Sequence, residues 1–396
     1  MIVLIKIDQH VCAEQSSAPP RRSRFAMPTI EQVVDAFERQ ATYCGEHGSP
    51  FTARLLRVAL RALQRGEPVL QAIAAWPGDP VADALPLRLA GALHALVLDG
   101  RAEALARHYP EAGGAVDEVA LRDAMVAALR THPGVVSDYL ARPPQTNEVG
   151  RSAVLFGGFT TIAAHAGLPL RLLELGASAG LNLNWDRYGY RLGDTHCGDP
   201  ASPLQLAPSW HGAAPPVAGV RVDSRMGCDL APVDISVVSQ RLRLRSYVWA
   251  DQQSRMAQLD AALAVAARQR PQVTRAMADD WLERQLATPV AGVATVVYHS
   301  IFWSYLPAAA KARIAAAIER AAQTADAAAP LAWLRFEFDD PSQRPSLRLS
   351  LWPGPVEWHL ADAQAHGQEV FWHGGAAAAT ALRAPRHGRV GASPTL

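Results

Sequence analysis

The chain is 396 residues long, 49% hydrophobic and 19% charged, with 38 basic and 37 acidic side chains. At roughly 100 to 200 residues per domain, that length leaves room for two or three compact domains, and the composition excludes disorder over most of the chain. A net charge of +1 supplies no broad basic field, so nucleic acid is not an expected partner.

Four cysteines, Cys12, Cys44, Cys197 and Cys228, are scattered without a CxxC pair, which argues against a disulfide framework and a clustered zinc site. His196, Cys197, Cys228 and Asp229 lack paired short spacing, so no metal is expected. The opening MIVLIKIDQHVC is interrupted by Lys6 and Asp8, too soon for a signal-peptide core, and no run approaches the ~20 apolar residues of a spanning helix. A soluble, cytoplasmic protein without membrane contact is expected; oligomeric state is not readable.

Residues 1–26 end in the Pro- and Arg-rich EQSSAPPRRSRFA and are expected to be a disordered tail, with an overlong start another explanation. Residues 27–142 carry a helical pattern. In RLLRVALRALQRG, Leu55, Leu56, Ala59, Leu60 and Leu63 form one apolar stripe. The turns HGSP, WPGDP, LDG and YPEAGG divide this region into about five helices, an all-helical N-terminal domain.

From residue 143 the texture changes, and 143–376 is expected to be an α/β domain. Leu168 to Leu175 read as a buried strand running into a Gly-rich turn. Further strand candidates are 222–231, 272–280, 293–303, 330–340, 346–352 and 368–373, with helices at 255–268 and 308–329. This alternation predicts a Rossmann-like, mostly parallel sheet of the class I methyltransferase type, with an antiparallel end. A Pro- and Gly-rich hairpin is expected as an insertion at 188–222. Residues 377–396 are expected to be a loose tail.

The Gly-rich turn is the most informative segment. In LLELGASAGLNL, Gly176, Ser178 and Gly180 at a strand end let a ligand approach the backbone, while the next segment offers free N–H groups, joined by Asn182. Glu174 stands where nucleoside-binding methyltransferases carry an acid. Asp229 ends the next strand and suits a ribose; Asp279 and Asp280 end the third and suit an adenine amino group. Asp229 comes 55 residues after Glu174 rather than about 20, which the insertion explains; Asp194 or Asp199 are alternatives for the ribose. Together these acids point to S-adenosylmethionine as cofactor and methyl transfer to a small molecule.

Two other readings use the same residues. Gly176 to Gly180 is also G-x-S-x-G, the nucleophile turn of serine hydrolases, with Ser178, Asp279 or Asp339, and His359, His366 or His373 as a triad. The third is a nucleotide-binding scaffold without chemistry. After the fourth strand, His299 is a candidate general base, Tyr305 a second catalytic candidate and Trp303 a pocket wall. Asn147, Glu148 and Arg151, ahead of the first strand, are candidate substrate contacts. Trp249, Asp251, Gln252 and Arg255 either line the site or cap and pair at a helix start.

The segments QTNEVGR, LLELGASAGLNL, DRYGY, GCDLAP, VWADQQSR, VVYHSIFWSYL and LAWLRFEF resemble a bacterial family, domain of unknown function 2332, continuously from about Phe37 to Trp372. The resemblance implies no substrate; in its Gly-rich segment the family is similar to class I S-adenosylmethionine-dependent methyltransferases. Ala250 stands where the family tends to have Pro, and the N-terminal tail is extra.

Overall fold

The first helix begins where its residues provide a cap. Thr29 and Gln32 form a reciprocal capping box at the start of α1 (Ile30–Glu46), with Thr29 N–H donating to Gln32 Oε1 at 2.8 Å. α2 (Pro50–Gln64) starts with a proline, whose missing N–H is no loss in a first turn. Its five predicted stripe residues, Leu55, Leu56, Ala59, Leu60 and Leu63, are all buried. α3 (Gln71–Ala74), α4 (Leu85–Leu98), α5 (Glu103–Ala106), α6 (Glu118–Thr131) and α7 (Pro133–Leu140) complete the region. α4 runs through its middle: Leu89, Leu93 and Leu96 pack among the helices, while Ala92 and Ala95 meet Tyr139 and Tyr247. This computed structural model describes residues 28–110, 117–216, 219–340, 342–354, 356–374 and 379–381, so the expected tail at 1–26 lies outside the described residues.

The second region is α/β, a large, mostly parallel central sheet with helices. α8 (Arg151–Ala166) leads into β1 (Leu170–Leu175). A 3-10 stretch, Leu181–Arg187, then enters the expected insertion, where β2 (Gly189–Leu192), β3 (Thr195–Gly198) and β4 (Gln205–Leu206) form a small sheet of their own. β5 (Ser209–His211) leaves it for the main sheet. There follow β6 (Val222–Asp229), α9 (Val238–Ser246), α10 (Gln253–Gln269), β7 (Gln272–Arg275), α11 (Ala278–Leu286), β8 (Ala294–Ser300), α12 (Ala308–Ala322) and β9 (Leu331–Glu337). β10 (Ser346–Trp352), β11 (Val356–Ala363), β12 (Glu369–Trp372) and β13 (Ala379–Ala381) end the described chain.

The order across the sheet is β5-β12-β11-β10-β9-β8-β1-β6-β7, with β13 also on β11. β9, β8, β1, β6 and β7 are parallel to one another, while β10, β11 and β12 add antiparallel. Strand alternation gives the sheet two cores. Leu170 and Leu172 of β1, with Val296 and Tyr298 of β8, face the cluster that includes Val154 and Phe159 of α8 and Leu263 of α10. Leu173, Leu175 and Val297 face the opposite cluster, with Trp281 of α11 and Ile314 of α12.

Three expectations need correction. The third strand stops at Arg275, so Asp279 and Asp280 lie in the first turn of α11. A whole strand, β11, lies between the two terminal strands taken as consecutive; its alternation is broken by a bulge and by charged residues on a half-covered face. Within the expected loose tail, Ala379–Ala381 pairs with β11, while 377, 378 and 382–396 lie outside the described residues.

α8 lies close on the sheet because of two glycines. A Cβ at Gly157 would stand 2.4 Å from the Trp372 ring, and one at Gly158 2.5 Å from Leu334. Substituting Gly157→Val therefore overpacks this contact and lowers unfolding free energy by about 1–3 kcal/mol, read as a fall in urea midpoint at unchanged slope.

Candidate functional site

β1 is the point where the chain reverses its direction of growth across the sheet. After β1 it builds β6 and β7 on one side, then crosses to build β8 and β9 on the other. Helices covering such a sheet leave a crevice at the carboxyl ends of the strands beside that point. Here the crevice is a cavity of about 850 Å³, lined by Glu174 of β1 and Gly176 just after it, Cys228 and Asp229 of β6, Arg275 of β7, and Ser300 of β8. Its opposite wall comes from the helical region, including Val135, Asp138, Tyr139 and Arg142.

The Gly-rich turn is tied from two sides. Asp229 accepts the Ser178 N–H at 2.9 Å and the Ala231 N–H at 2.9 Å, and Gln145 Nε2 lies 3.4 Å away. Asn147 Oδ1 accepts the Leu181 N–H at 2.9 Å, and Asn182 links Ser152 at 2.7 Å to the Glu148 carbonyl at 3.3 Å. The segments QTNEVGR and LLELGASAGLNL are therefore two halves of one hydrogen-bonded structure. The glycines have steric duties. At Gly176, with φ of +69°, a Cβ would meet the Phe302 ring at 2.2 Å, and at Gly180 one would meet Pro271 and Val273 at 2.9 Å. Two cavity residues without a glycine's freedom are also left-handed: Ser178 with φ of +54° and the β-branched Ile301 with φ of +48°. Such conformations cost on the order of 1–3 kcal/mol each and cluster at functional sites.

Glu174 is 2% exposed, and the Tyr298 hydroxyl donates to its Oε2 at 3.2 Å. Burial, reinforced by the nearby Asp229 charge, pushes its carboxyl up to about 8, so it carries a proton at neutral pH. Asp279 lines the cavity and is also buried: its Oδ2 accepts from Arg313 at 2.8 Å, while its buried Oδ1 has no hydrogen-bond partner among the described residues. The Ser178 Oγ is buried and equally unpartnered.

Glu148 ties the segment before α8 to α10 and to the loop before β12. Its carboxylate accepts from Arg255 Nε at 2.9 Å, also contacts Arg255 Nη2, accepts the Gly150 N–H at 3.2 Å and lies 3.2 Å from His366 Nδ1. Burial works against its charge, but Arg255, His366 and Arg151 outweigh that and hold the carboxyl well below the usual carboxylate range. The neighbouring VWADQQSR segment turns out to cap and brace. Asp251 receives the Phe51 N–H at 2.8 Å and the Ser49 hydroxyl, capping α2 from 200 residues away, and Gln252 donates to the His47 carbonyl at 3.2 Å. Arg151 reaches the Ser300 carbonyl at 2.9 Å and the Ala365 carbonyl at 3.0 Å.

Of the fourteen residues read as catalytic, cofactor or substrate contacts for methyl transfer, ten line the cavity: Asn147, Glu148, Arg151, Glu174, Gly176, Ser178, Asn182, Asp229, Asp279 and Tyr305. Four do not. Gly180 packs on β7 as described, and Asp280 sits on the surface in an ion pair with Arg313. His299 is fully buried in the opposite core: its Nδ1 bonds Glu337 at 2.6 Å and its Nε2 accepts from Trp333 Nε1 at 3.2 Å. Both its nitrogens are engaged and it has no exposure toward the cavity; Glu337 in turn receives the Phe302 and Trp303 N–H groups at 2.9 and 3.2 Å. Trp303 stacks on His299, ring centroids 5.1 Å apart, away from the cavity. The wall from α7, with Gln145 and Arg275, carried no local signal, because it is assembled only by the tertiary fold.

A family model described as "Uncharacterized protein conserved in bacteria (DUF2332)" matches residues 34–372. The chain belongs to this family. No curated protein and no solved structure matches it. Among the described residues, no helix is long and apolar enough to cross a membrane.

Glu148→Ala leaves Arg255 charged and buried without its partner, and is expected to cost about 3–5 kcal/mol in denaturant unfolding. Glu174 acts with the opposite sign. Because its pKa in the fold is raised, its protonated form favours folding, and stability falls as pH climbs from about 4.5 through about 8. Glu174→Gln is expected to match the parent near pH 5 and to melt higher than it at pH 9, a comparison that thermal denaturation at the two pH values makes directly.

Proposed function

We propose that this member of the family is an S-adenosylmethionine-dependent methyltransferase with a Rossmann-like core, acting on a small molecule. The observation that carries the reading is the set of three acids, Glu174, Asp229 and Asp279, on one cavity wall at the carboxyl ends of β1 and β6 and just past β7. The parallel order β7-β6-β1-β8-β9 supports it, being the order in which open nucleotide-binding sheets place a ligand beside their first strand. A cavity of about 850 Å³ suits a nucleoside with a small acceptor.

In this reading Glu174 meets the methionine end, where a cationic amine and sulfonium favour its ionised form. Asp229 has lone pairs beyond those that hold the loop and offers them to the ribose. Asp279, which lines the cavity and has one carboxylate oxygen without a partner among the described residues, is the acid for the adenine amino group. The chain's work is alignment in a site walled by the helical region, with the acceptor placed near Arg151 and Tyr305. Burial raises the Tyr305 hydroxyl above its usual range, so it stays protonated and offers the acceptor a hydrogen bond rather than serving as a base.

The hydrolase reading gains nothing comparable. Ser178 has the strained backbone of a nucleophile turn, yet no imidazole lines its cavity among the described residues. His359 and His373 bond Asp362, and His366 lies against Glu148.

Calorimetric titration with S-adenosylmethionine and S-adenosylhomocysteine tests the proposal. Micromolar binding at pH 7 is expected, weakened at least tenfold in Glu174→Ala and Asp279→Asn. Release of the Glu174 proton on binding makes the heat vary with buffer ionisation enthalpy, and Glu174→Gln abolishes that variation. Absence of binding to folded protein at millimolar ligand would overturn the reading.

A further inference from the structure

We propose that His359, Asp362 and His373 form a binding site for one divalent transition-metal ion, zinc foremost, on the antiparallel half of the sheet. The site is separate from the cavity and independent of the reading above.

The three residues converge because of a backbone irregularity. His359 and Asp362 stand three apart on β11, and regular alternation would send their side chains to opposite faces. Along β10, however, Arg348 pairs with His359 and Leu347 with Ala361, so Leu360 is an extra residue. This bulge resets the alternation and puts both side chains on one face. On the other side of β11, Trp372 pairs with Ala361, and the His373 N–H donates to the Leu360 carbonyl at 2.9 Å, which seats His373 against the bulge. β13 takes up the pairing at Trp358, so the site lies where β12 gives way to β13 along β11.

The donor atoms already face one another. Asp362 Oδ1 lies 2.8 Å from His359 Nε2, its Oδ2 lies 2.9 Å from His373 Nε2, and the three ligand atoms fall within 4.8 Å of one another. The rings are 4.9 Å apart at an interplanar angle of 72°, so they approach edge to face and leave room between their nitrogens. Small side-chain rotations bring all three atoms to the ~2.0–2.2 Å shell of zinc. Two imidazoles and one carboxylate form a borderline donor set that selects zinc, cobalt or nickel over magnesium and calcium, which prefer all-oxygen shells. The side chains are 34%, 35% and 38% exposed, so an ion enters from solvent and water completes its coordination.

The bound ion ties β11 to the residue that follows β12. The connection between these strands carries His366 to Glu148 and the Ala365 carbonyl to Arg151. A metal here therefore stiffens a hairpin whose tip braces the cavity.

The test is titration of the tag-free full chain with zinc and cobalt chloride, by competition with a chromophoric chelator and by cobalt absorption. One ion is expected to bind at this site, with affinity falling at least tenfold in each of His359→Ala, Asp362→Asn and His373→Ala. His196→Ala and Cys197→Ser are expected to leave it unchanged, and magnesium is expected not to compete. Thermal midpoints in chelator establish that the variants fold, and zinc is expected to raise the midpoint of the parent chain alone. Zinc affinity equal in the parent and all three variants, or no binding to the parent, would overturn the proposal and leave the cluster a hydrogen-bonded pair of histidines on one carboxylate.

Discussion

The buried pairing of Glu148 with Arg255 ties the segment before α8 to the start of α10, the same stretch that holds the helical region. A carboxylate and a guanidinium taken out of water are tolerable only with full hydrogen bonding. Glu148 has Arg255, the Gly150 N–H and His366; Arg255 also has the Gln252 side chain. The same short stretch, Asp251 to Arg255, caps α2 and braces its preceding turn. The segment that precedes α8 is thus gripped by α10, while α10's own entry is gripped by the helical region. Charge burial enforces this geometry, because any slippage would strand ions in a low-dielectric interior.

From that anchor the site follows by short steps. Asn147, beside Glu148, takes the Leu181 N–H, and Ser152, the second residue of α8, donates its hydroxyl to Asn182. Asp229 closes the turn from the other side through the Ser178 N–H. The turn is held open in a left-handed conformation by groups that are themselves held. Preorganisation of this kind means that a ligand meets donors already ordered and does not have to order them. Glu174, held neutral within that frame at neutral pH by burial, is an acid whose charge a cationic ligand would change.

What could be read from the sequence was whatever depends on near neighbours. The run to Leu175 followed by Gly176 announces a strand and its turn, and the acids of the first two parallel strands stand at their ends. Asp279 was assigned to a strand but belongs to a helix start; it still reaches the cavity, because the connection from β7 to α11 is only two residues long. His299 was misread through parity. Tyr298 and His299 are consecutive on β8 and so face opposite cores, and Tyr298 is the one that shares a face with Glu174. β11 escaped notice because its bulge interrupts the two-residue rhythm on which strand recognition rests. The capping of α2 by Asp251 could not be seen locally at all, since the partners lie 200 residues apart.

The insertion between β1 and β6 does more than lengthen a loop. Its last strand, β5, crosses to the far margin of the sheet and pairs with β12, so Ser209, Trp210 and His211 lie beside residues about 160 positions later. Trp210 stacks on Trp372 and His211 on Phe371. This gives the chain a definite order of assembly as it emerges from the ribosome. β1 and the small sheet can form early, but β5 has no place to dock until the terminal hairpin has been synthesised and folded. Long-range closure of this kind is slow, and the waiting strand exposes an unpaired edge meanwhile. Its brevity, three residues with two flat aromatic groups, keeps that edge a poor template for other chains during the interval.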